Sequence, residues 1–95
     1  MTIYVDKLFT YPAENIAPKA RRYGRRWCHL VTDGDLEELH AFAERIGCQR
    51  SWFQKHPRMP HYDLTPTMRA RAVTAGATEV QTLQGLFKRL LKQEE

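Results

Sequence analysis

The sequence predicts a small α+β domain in which a three- or four-stranded sheet packs two or three helices on one face. Three observations lead to this fold class. Residues 2–9 and 26–32 alternate apolar and polar side chains, as strands do. Later segments repeat apolar side chains at helical spacing, and 95 residues are enough for one domain, 1–95. The resulting order, β-β-α-β-α-α, places the helices in a layer against the sheet.

The N-terminal part is predicted to contain two strands joined by a long basic loop. In the first strand, residues 3–6 (IYVD) alternate, so that Asp6 faces away from the apolar side. Residues 10–25 hold two prolines and a basic run, and a loop of this length is expected to be mobile. The second strand places Cys28 on the apolar face and His29 on the other.

The most regular helical pattern follows a turn at Asp33-Gly34. Asp35 is predicted to cap a helix, with Glu38 at the capping-box spacing. Apolar positions then recur over residues 36–46, and Gly47 ends the helix.

The second half predicts a broken extended segment and two more helices. Short strands are expected at residues 52–54 and 61–64. Thr65-Pro66 pairs a cap residue with a first-turn proline and starts a helix that Gly76 ends. A third, amphipathic helix is predicted over about residues 80–92, within a C-terminal segment of residues 80–95; its apolar stripe is Val80, Leu83, Phe87, Leu90 and Leu91.

Composition excludes several classes of protein. No apolar run approaches the roughly 18–20 residues that cross a bilayer, and the N-terminus lacks a secretory pattern, so we expect a cytoplasmic protein without a membrane partner. Cys28 and Cys48 lack the CxxC spacing of metal sites and are expected to be free, buried thiols.

Charge is distributed unevenly along the chain. The net charge is +4, but residues 1–32 and 49–72 each carry +4 and residues 33–48 carry −4. If the basic segments meet, they form a surface that attracts phosphates. Bases interleaved with aromatic rings are typical of nucleotide and single-strand binding, although basic loops also serve solubility alone. The predicted ligand-binding residues are Arg21, Arg22, Arg25, Arg26, Trp27, Trp52 and Arg69.

Arg69 is included because it lies in the first turn of the second helix. Free N–H groups at Thr67 and Met68 would bind an anion there, and Arg69 would close on it. The alternative is that Arg69 is a solvated helix arginine.

Polar side chains on the outer face of the predicted sheet form a second candidate site. Asp6, His29, His61 and Asp63 would point to the same side, and their nitrogen and oxygen atoms suit a divalent metal ion. His61 and Asp63, two residues apart on one strand, are the candidate catalytic residues. The alternative is structural, with both histidines held by hydrogen bonds to the two aspartates.

Three functions follow as hypotheses. The first is a small binding module for a phosphate-bearing ligand, either a nucleotide or nucleic acid. The second is a metal-dependent hydrolase, such as a phosphoesterase, that uses Asp6, His29, His61 and Asp63. The third is a structural protein that pairs with a second copy through residues 80–92. No phosphate-binding glycine loop, GxSxG or HExxH motif is present.

Several spaced motifs together resemble a known family. They are Ile3-Tyr4-Val5-Asp6, Cys28-His29, the helix that begins Asp35-Leu36-Glu37-Glu38, Trp52-Phe53-Gln54, His61-Tyr62-Asp63, and Arg69 through Ala77. Over roughly residues 2–80 the chain resembles short bacterial and phage proteins classed only as a domain of unknown function. The resemblance implies no established activity.

Overall fold

A computed structural model describes residues 2–86 as a mixed α/β domain built on a sheet of six short strands. The strands are β1 (Ile3–Val5), β2 (Phe9–Thr10), β3 (Arg26–Thr32), β4 (Phe53–Gln54), β5 (His61–Leu64) and β6 (Thr78–Glu79). The α-helices are α1 (Leu36–Ile46) and α2 (Pro66–Thr74), and residues 83–86 are also helical. Three 3-10 helices lie at Ala13–Asn15, Pro18–Tyr23 and Arg50–Trp52. The mixed fold class is confirmed, whereas the predicted three or four strands become six.

Strand β3 is the centre of the sheet. The order is β4-β5-β3-β1-β6, and β2 pairs with the beginning of β3. All pairs are antiparallel except β1 with β6. The register sets His29 directly opposite Asp63, and directly opposed residues share a face of the sheet.

The strand predicted over residues 2–9 is broken at Asp6, which separates β1 from β2. The Asp6 carboxylate accepts a hydrogen bond from the backbone N–H of His29 at 2.6 Å. This backbone N–H of β3 is thus bonded to a side-chain oxygen. The regular pairing of β1 with β3 ends at Val5 and Leu30, one residue before Asp6.

The predicted starts of α1 and α2 are confirmed by their caps, whereas the third predicted helix begins at residue 83 and not at about residue 80. Asp35 accepts from the backbone N–H of Glu38 at 3.1 Å, and Gly47 ends α1 in the left-handed conformation, with φ of 100°. Thr65 accepts from the backbone N–H of Met68 at 3.2 Å, ahead of Pro66 in the first turn of α2.

The main core lies between the sheet and helices α1 and α2. It includes the fully buried Val5, Cys28, Leu30, Leu39 and Leu64.

The predicted one-sided arrangement is wrong, because the other face is covered in part as well. Tyr4 and Val31 form a second cluster there with Val80 and Leu86, and Leu83 packs against it. Part of the C-terminal apolar stripe therefore packs on its own sheet. Residues 87–95 of the predicted helix lie outside the described residues.

Residues 10–25, predicted as a mobile loop, contain two of the 3-10 helices instead. Ile16 is buried between them, and Pro18 begins the second, where its fixed φ and missing N–H are tolerated. The Nε of Arg21 donates to the carbonyl oxygen of Ile16 at 3.1 Å. This segment forms one wall of the cleft described next.

Candidate metal centre and cleft

Three of the four predicted metal ligands come together on the outer face of the sheet. One ligand atom from each of His29, His61 and Asp63 lies within 4.8 Å of the other two. The imidazole rings meet edge to face, with centroids 4.9 Å apart. All three side chains are partly buried. Two imidazoles and one carboxylate form a donor set that first-row transition metals bind with coordination positions left open.

Asp6, the fourth predicted ligand, lies behind His29 and holds it in place. Its Oδ2 is 2.7 Å from Nδ1 of His29, and its Oδ1 accepts from the backbone N–H of the same residue. The Asp6 side chain is only 2% exposed. Because a carboxylate oxygen accepts, Nδ1 of His29 is the donor in this contact, which leaves Nε2 on the side of the ring away from Asp6. A carboxylate behind a histidine is the usual support of a metal-binding imidazole.

His61 is oriented in the same way by a backbone carbonyl. Its Nδ1 lies 3.0 Å from the carbonyl oxygen of Met59, which can only accept, so Nδ1 is the donor. Nε2 then faces Oδ1 of Asp63 at 3.4 Å. In neutral His61 these two atoms are both acceptors, and their repulsion is relieved only by a proton or a metal cation between them.

The pKa of His61 reflects this arrangement. Burial on its own lowers the pKa, but the hydrogen bonds to Asp63 and Met59, together with the negative charges of Asp63 and Asp6, raise it above its ordinary value. The site therefore favours positive charge, and a metal ion would compete there with a proton.

The candidate metal centre opens into a cleft of about 740 Å³, which His29 and Asp63 line. Its floor includes Trp27, His29 and Asp63 from the sheet. One wall is formed by the segment from Tyr11 to Tyr23, and the other by residues 49–54. This volume lies within the range of small-molecule sites.

The predicted ligand-binding residues divide into two groups. Arg22, Trp27 and Trp52 line the cleft. Arg21 is hydrogen-bonded to Ile16, as described above.

Arg25 and Arg26 do not line this cleft either. The Nε of Arg25 donates to the carbonyl oxygen of Tyr11 at 2.9 Å, which ties the base of the loop to β3. Arg26 is exposed at the beginning of β3, opposite Thr10.

Arg69 points to the sheet edge instead of the cleft. Its Nε donates to the carbonyl oxygen of Asp6 at 2.8 Å, and its Nη1 lies 3.0 Å from a carboxylate oxygen of Glu79. The N–H of Met68, predicted to bind an anion, is already bonded to Thr65. The structure thus uses Arg69 and the N–H of Met68 within the fold, and Arg69 holds the backbone at Asp6, where the first strand is broken.

Sequence reasoning missed several residues of the cleft, among them Tyr11, Tyr23 and Gln54. Burial and the charges of Asp6 and Asp63 raise the pKa of Tyr11, so its phenol keeps the proton at neutral pH. Gln54 could have been found from the sequence. A strand that ends at residue 54 and pairs with the strand at residues 61–64 places Gln54 beside His61. Tyr23 lies within the basic run, but it was not predicted as a ligand-binding residue.

Both cysteines are free and buried, as predicted. Burial raises the pKa of Cys28 to about 12 and that of Cys48 to about 11, so both remain protonated thiols. Cys28 also points into the core on the face opposite to His29, which excludes it from the metal centre.

Residues 15–93 match the profile of a family described as a protein of unknown function (DUF4031). The chain belongs to this family. The match includes His29, His61 and Asp63 but begins after Asp6, and it extends further toward the C-terminus than the predicted resemblance over residues 2–80. Neither curated proteins nor solved structures gave a match.

A search of residues 2–86 for membrane-spanning segments found no helix of sufficient length and apolar character.

Proposed function

We propose that this DUF4031 protein is a metal-dependent hydrolase that acts on a phosphate ester. The observation that carries the proposal is the convergence of His29, His61 and Asp63. Each imidazole has its Nδ1 engaged by an oxygen acceptor, so both Nε2 atoms can serve as ligands once Nε2 of His61 gives up its proton to the metal's competition.

The donor set favours a first-row transition metal over Mg²⁺ or Ca²⁺. Imidazole nitrogens suit Zn²⁺, Ni²⁺, Cu²⁺ or Fe²⁺ and the carboxylate also suits Mn²⁺, whereas Mg²⁺ and Ca²⁺ prefer all-oxygen sites. Such an ion would be held by Nε2 of His29, Nε2 of His61 and a carboxylate oxygen of Asp63.

Three protein ligands leave room for water and for a substrate oxygen. A metal ion held by His29, His61 and Asp63 would lower the pKa of a bound water, whose oxygen would bond to phosphorus as the ester P–O bond breaks. The leaving oxygen takes up the proton that the water has lost. Asp63 is partly exposed on the cleft side, so the metal is reachable from the cleft.

Basic side chains in the cleft support a phosphate-bearing substrate. Lys19 and Arg22 line the same cleft as His29 and Asp63. A binding module for a phosphate-bearing ligand is the second candidate function, because the basic and aromatic cleft serves it equally well without a chemical step.

Metal content and hydrolysis together test the proposal. Protein purified without added metal should be titrated by calorimetry with Zn²⁺, Mn²⁺, Ni²⁺ and Mg²⁺. We expect one equivalent of a transition metal to bind. The affinity for Mg²⁺ should be much lower. The variants His29→Ala and His61→Ala should lose this binding. The matched control is His40→Asn, since His40 contacts Tyr62 from the helix side.

Hydrolysis is then measured on bis(p-nitrophenyl) phosphate with the metal that bound most tightly. We expect turnover that disappears with EDTA and in the His29→Ala and His61→Ala variants. Absence of metal binding to the folded protein would overturn the whole proposal. Metal binding without hydrolysis of this or of nucleotide esters would overturn the enzymatic part and leave the binding module.

A further inference from the structure

Three aromatic side chains stand together in the cleft beside the metal centre. The ring of Tyr23 lies between the two tryptophans, with its centroid 6.4 Å from Trp27 and 5.7 Å from Trp52. Both contacts are edge to face, at 79° and 70°. We call Tyr23, Trp27 and Trp52 the aromatic wall. All three rings line the cleft and are only partly buried, so apolar ring surface remains open to a ligand.

The aromatic wall is held in position by polar contacts. The indole N–H of Trp27 donates to the carbonyl oxygen of Gly24 at 3.2 Å. The guanidinium of Arg22 lies over the ring of Tyr23 at 4.8 Å, and its Nη2 donates to the hydroxyl of Tyr23 at 2.6 Å. Rings that are already oriented lose little freedom when a flat ligand stacks on them.

The aromatic wall and the metal centre are at a fixed separation. Trp27 and His29 lie on the same face of β3, two residues apart, which corresponds to about 7 Å along a strand. A ligand that stacks on Trp27 can therefore reach His29 only through a short linker. A nucleotide has this form, because one sugar joins its flat base to its phosphate.

We propose that the aromatic wall holds the base of an unpaired nucleotide whose phosphate lies at the His29–His61–Asp63 centre. This inference rests on the proposed function, in which the phosphate ester is hydrolysed. It adds the class of substrate, an unpaired nucleotide. Lys19 and Arg22 at the cleft complement the phosphate charge. A base within a duplex has its faces covered by neighbouring bases, so the nucleotide is either free or part of a single strand.

Intrinsic fluorescence is a direct probe of this site. The chain contains two tryptophans, and both line the cleft. Tryptophan emission should be followed while adenosine 5′-monophosphate, ribose 5-phosphate, a single-stranded tetranucleotide or a blunt duplex is added, with and without Zn²⁺. We expect the mononucleotide or the tetranucleotide to quench the emission. Ribose 5-phosphate and the duplex should quench it far less, and the tighter of the first two identifies the natural source.

Substitution of one ring separates stacking from simple charge attraction. Trp52→Leu leaves Trp27 as the reporter and should weaken nucleotide binding about 5- to 150-fold, the range measured for one stacked base. Trp52→Phe keeps a ring and should restore most of the affinity. Phe9→Leu is the matched control, because Phe9 is the cross-strand neighbour of Trp27 but does not line the cleft.

The outcomes distinguish this inference from the proposed function. Equal quenching by ribose 5-phosphate and the mononucleotide, or unchanged affinity in a folded Trp52→Leu, would overturn the aromatic wall as a base site. Metal binding would be unaffected by that result. Base-dependent quenching of a protein that binds no metal would instead support the base site and overturn the metal centre.

Discussion

Replacing Asp6 with Asn tests the support of the metal centre without touching a ligand atom. The Asp6 carboxylate accepts from the backbone N–H of His29 at 2.6 Å and from its Nδ1 at 2.7 Å. An amide of the same size has one acceptor and one donor end. Whichever way it is turned, one N–H of Asn faces one N–H of His29. The conflict is relieved if His29 moves its proton to Nε2, which removes the lone pair offered to the metal.

The size of the destabilisation follows from the hydrogen bond to His29 that is lost. A hydrogen bond to a charged group contributes about 1.5–3 kcal/mol, and one of the two bonds at Asp6 can be kept by the amide oxygen. We therefore expect Asp6→Asn to lower the free energy of unfolding by about 1.5–3 kcal/mol. For a domain of this size this lowers the melting temperature by at least about 6 °C. Loss of such a supporting group typically costs 10- to 100-fold in metal affinity, which corresponds to about 1.4–2.7 kcal/mol.

The assay is Zn²⁺ calorimetry alongside thermal melting, with Asp33→Asn as the matched control. Asp33 also loses one negative charge, but it bonds to the N–H of Thr2 and the hydroxyl of Tyr4, away from the metal centre. Asp33→Asn should bind Zn²⁺ as the wild type does. If Asp6→Asn is folded and binds Zn²⁺ with unchanged affinity, the reasoning about the proton on His29 is refuted.

Two further predictions concern the fold and its dependence on pH. Asp35→Ala removes the side-chain oxygen that caps α1 and accepts from the N–H of Glu38 at 3.1 Å. The variant should lower the free energy of unfolding, measured in urea, by about 1 kcal/mol. An unchanged urea midpoint would contradict this. Burial lowers the pKa of His40 below its ordinary 6.5 in the folded protein, and its Nδ1 lies 2.7 Å from the hydroxyl of Tyr62. Below pH 6.5 the unfolded chain binds more protons at His40, so the wild type should lose stability relative to His40→Asn as the pH falls, and parallel curves from pH 7.5 to 5 would refute this.

Local chemistry accounts for the parts of the fold that were predicted correctly. Asp35 and Gly47 bound α1, and Thr65 with Pro66 begins α2, because caps act within one turn of the residues they satisfy. The inward and outward faces of β3 also followed from the sequence, since strand side chains alternate.

Long-range contacts decided the features that were not predicted. The strand break at Asp6 depends on the N–H of His29, 23 positions away, and the carbonyl of Asp6 is held by Arg69, 63 positions away. The two 3-10 helices within residues 10–25 form one wall of the cleft. The other wall is formed by residues 49–54, which follow α1 in the chain. Such pairings leave no periodic signal in the sequence.

For the candidate site, the sequence determined which side chains are present and that His61 and Asp63 share a face. It placed His29 on the outer face of its strand as well. Only the tertiary structure decided that β5 pairs with β3 so that His29 lies opposite Asp63. It also decided that Asp6 supports His29 from behind and that Trp52 meets Tyr23. The physical reason is that alternation along a strand fixes the face of a side chain, whereas strand order and register depend on the packing of the whole core.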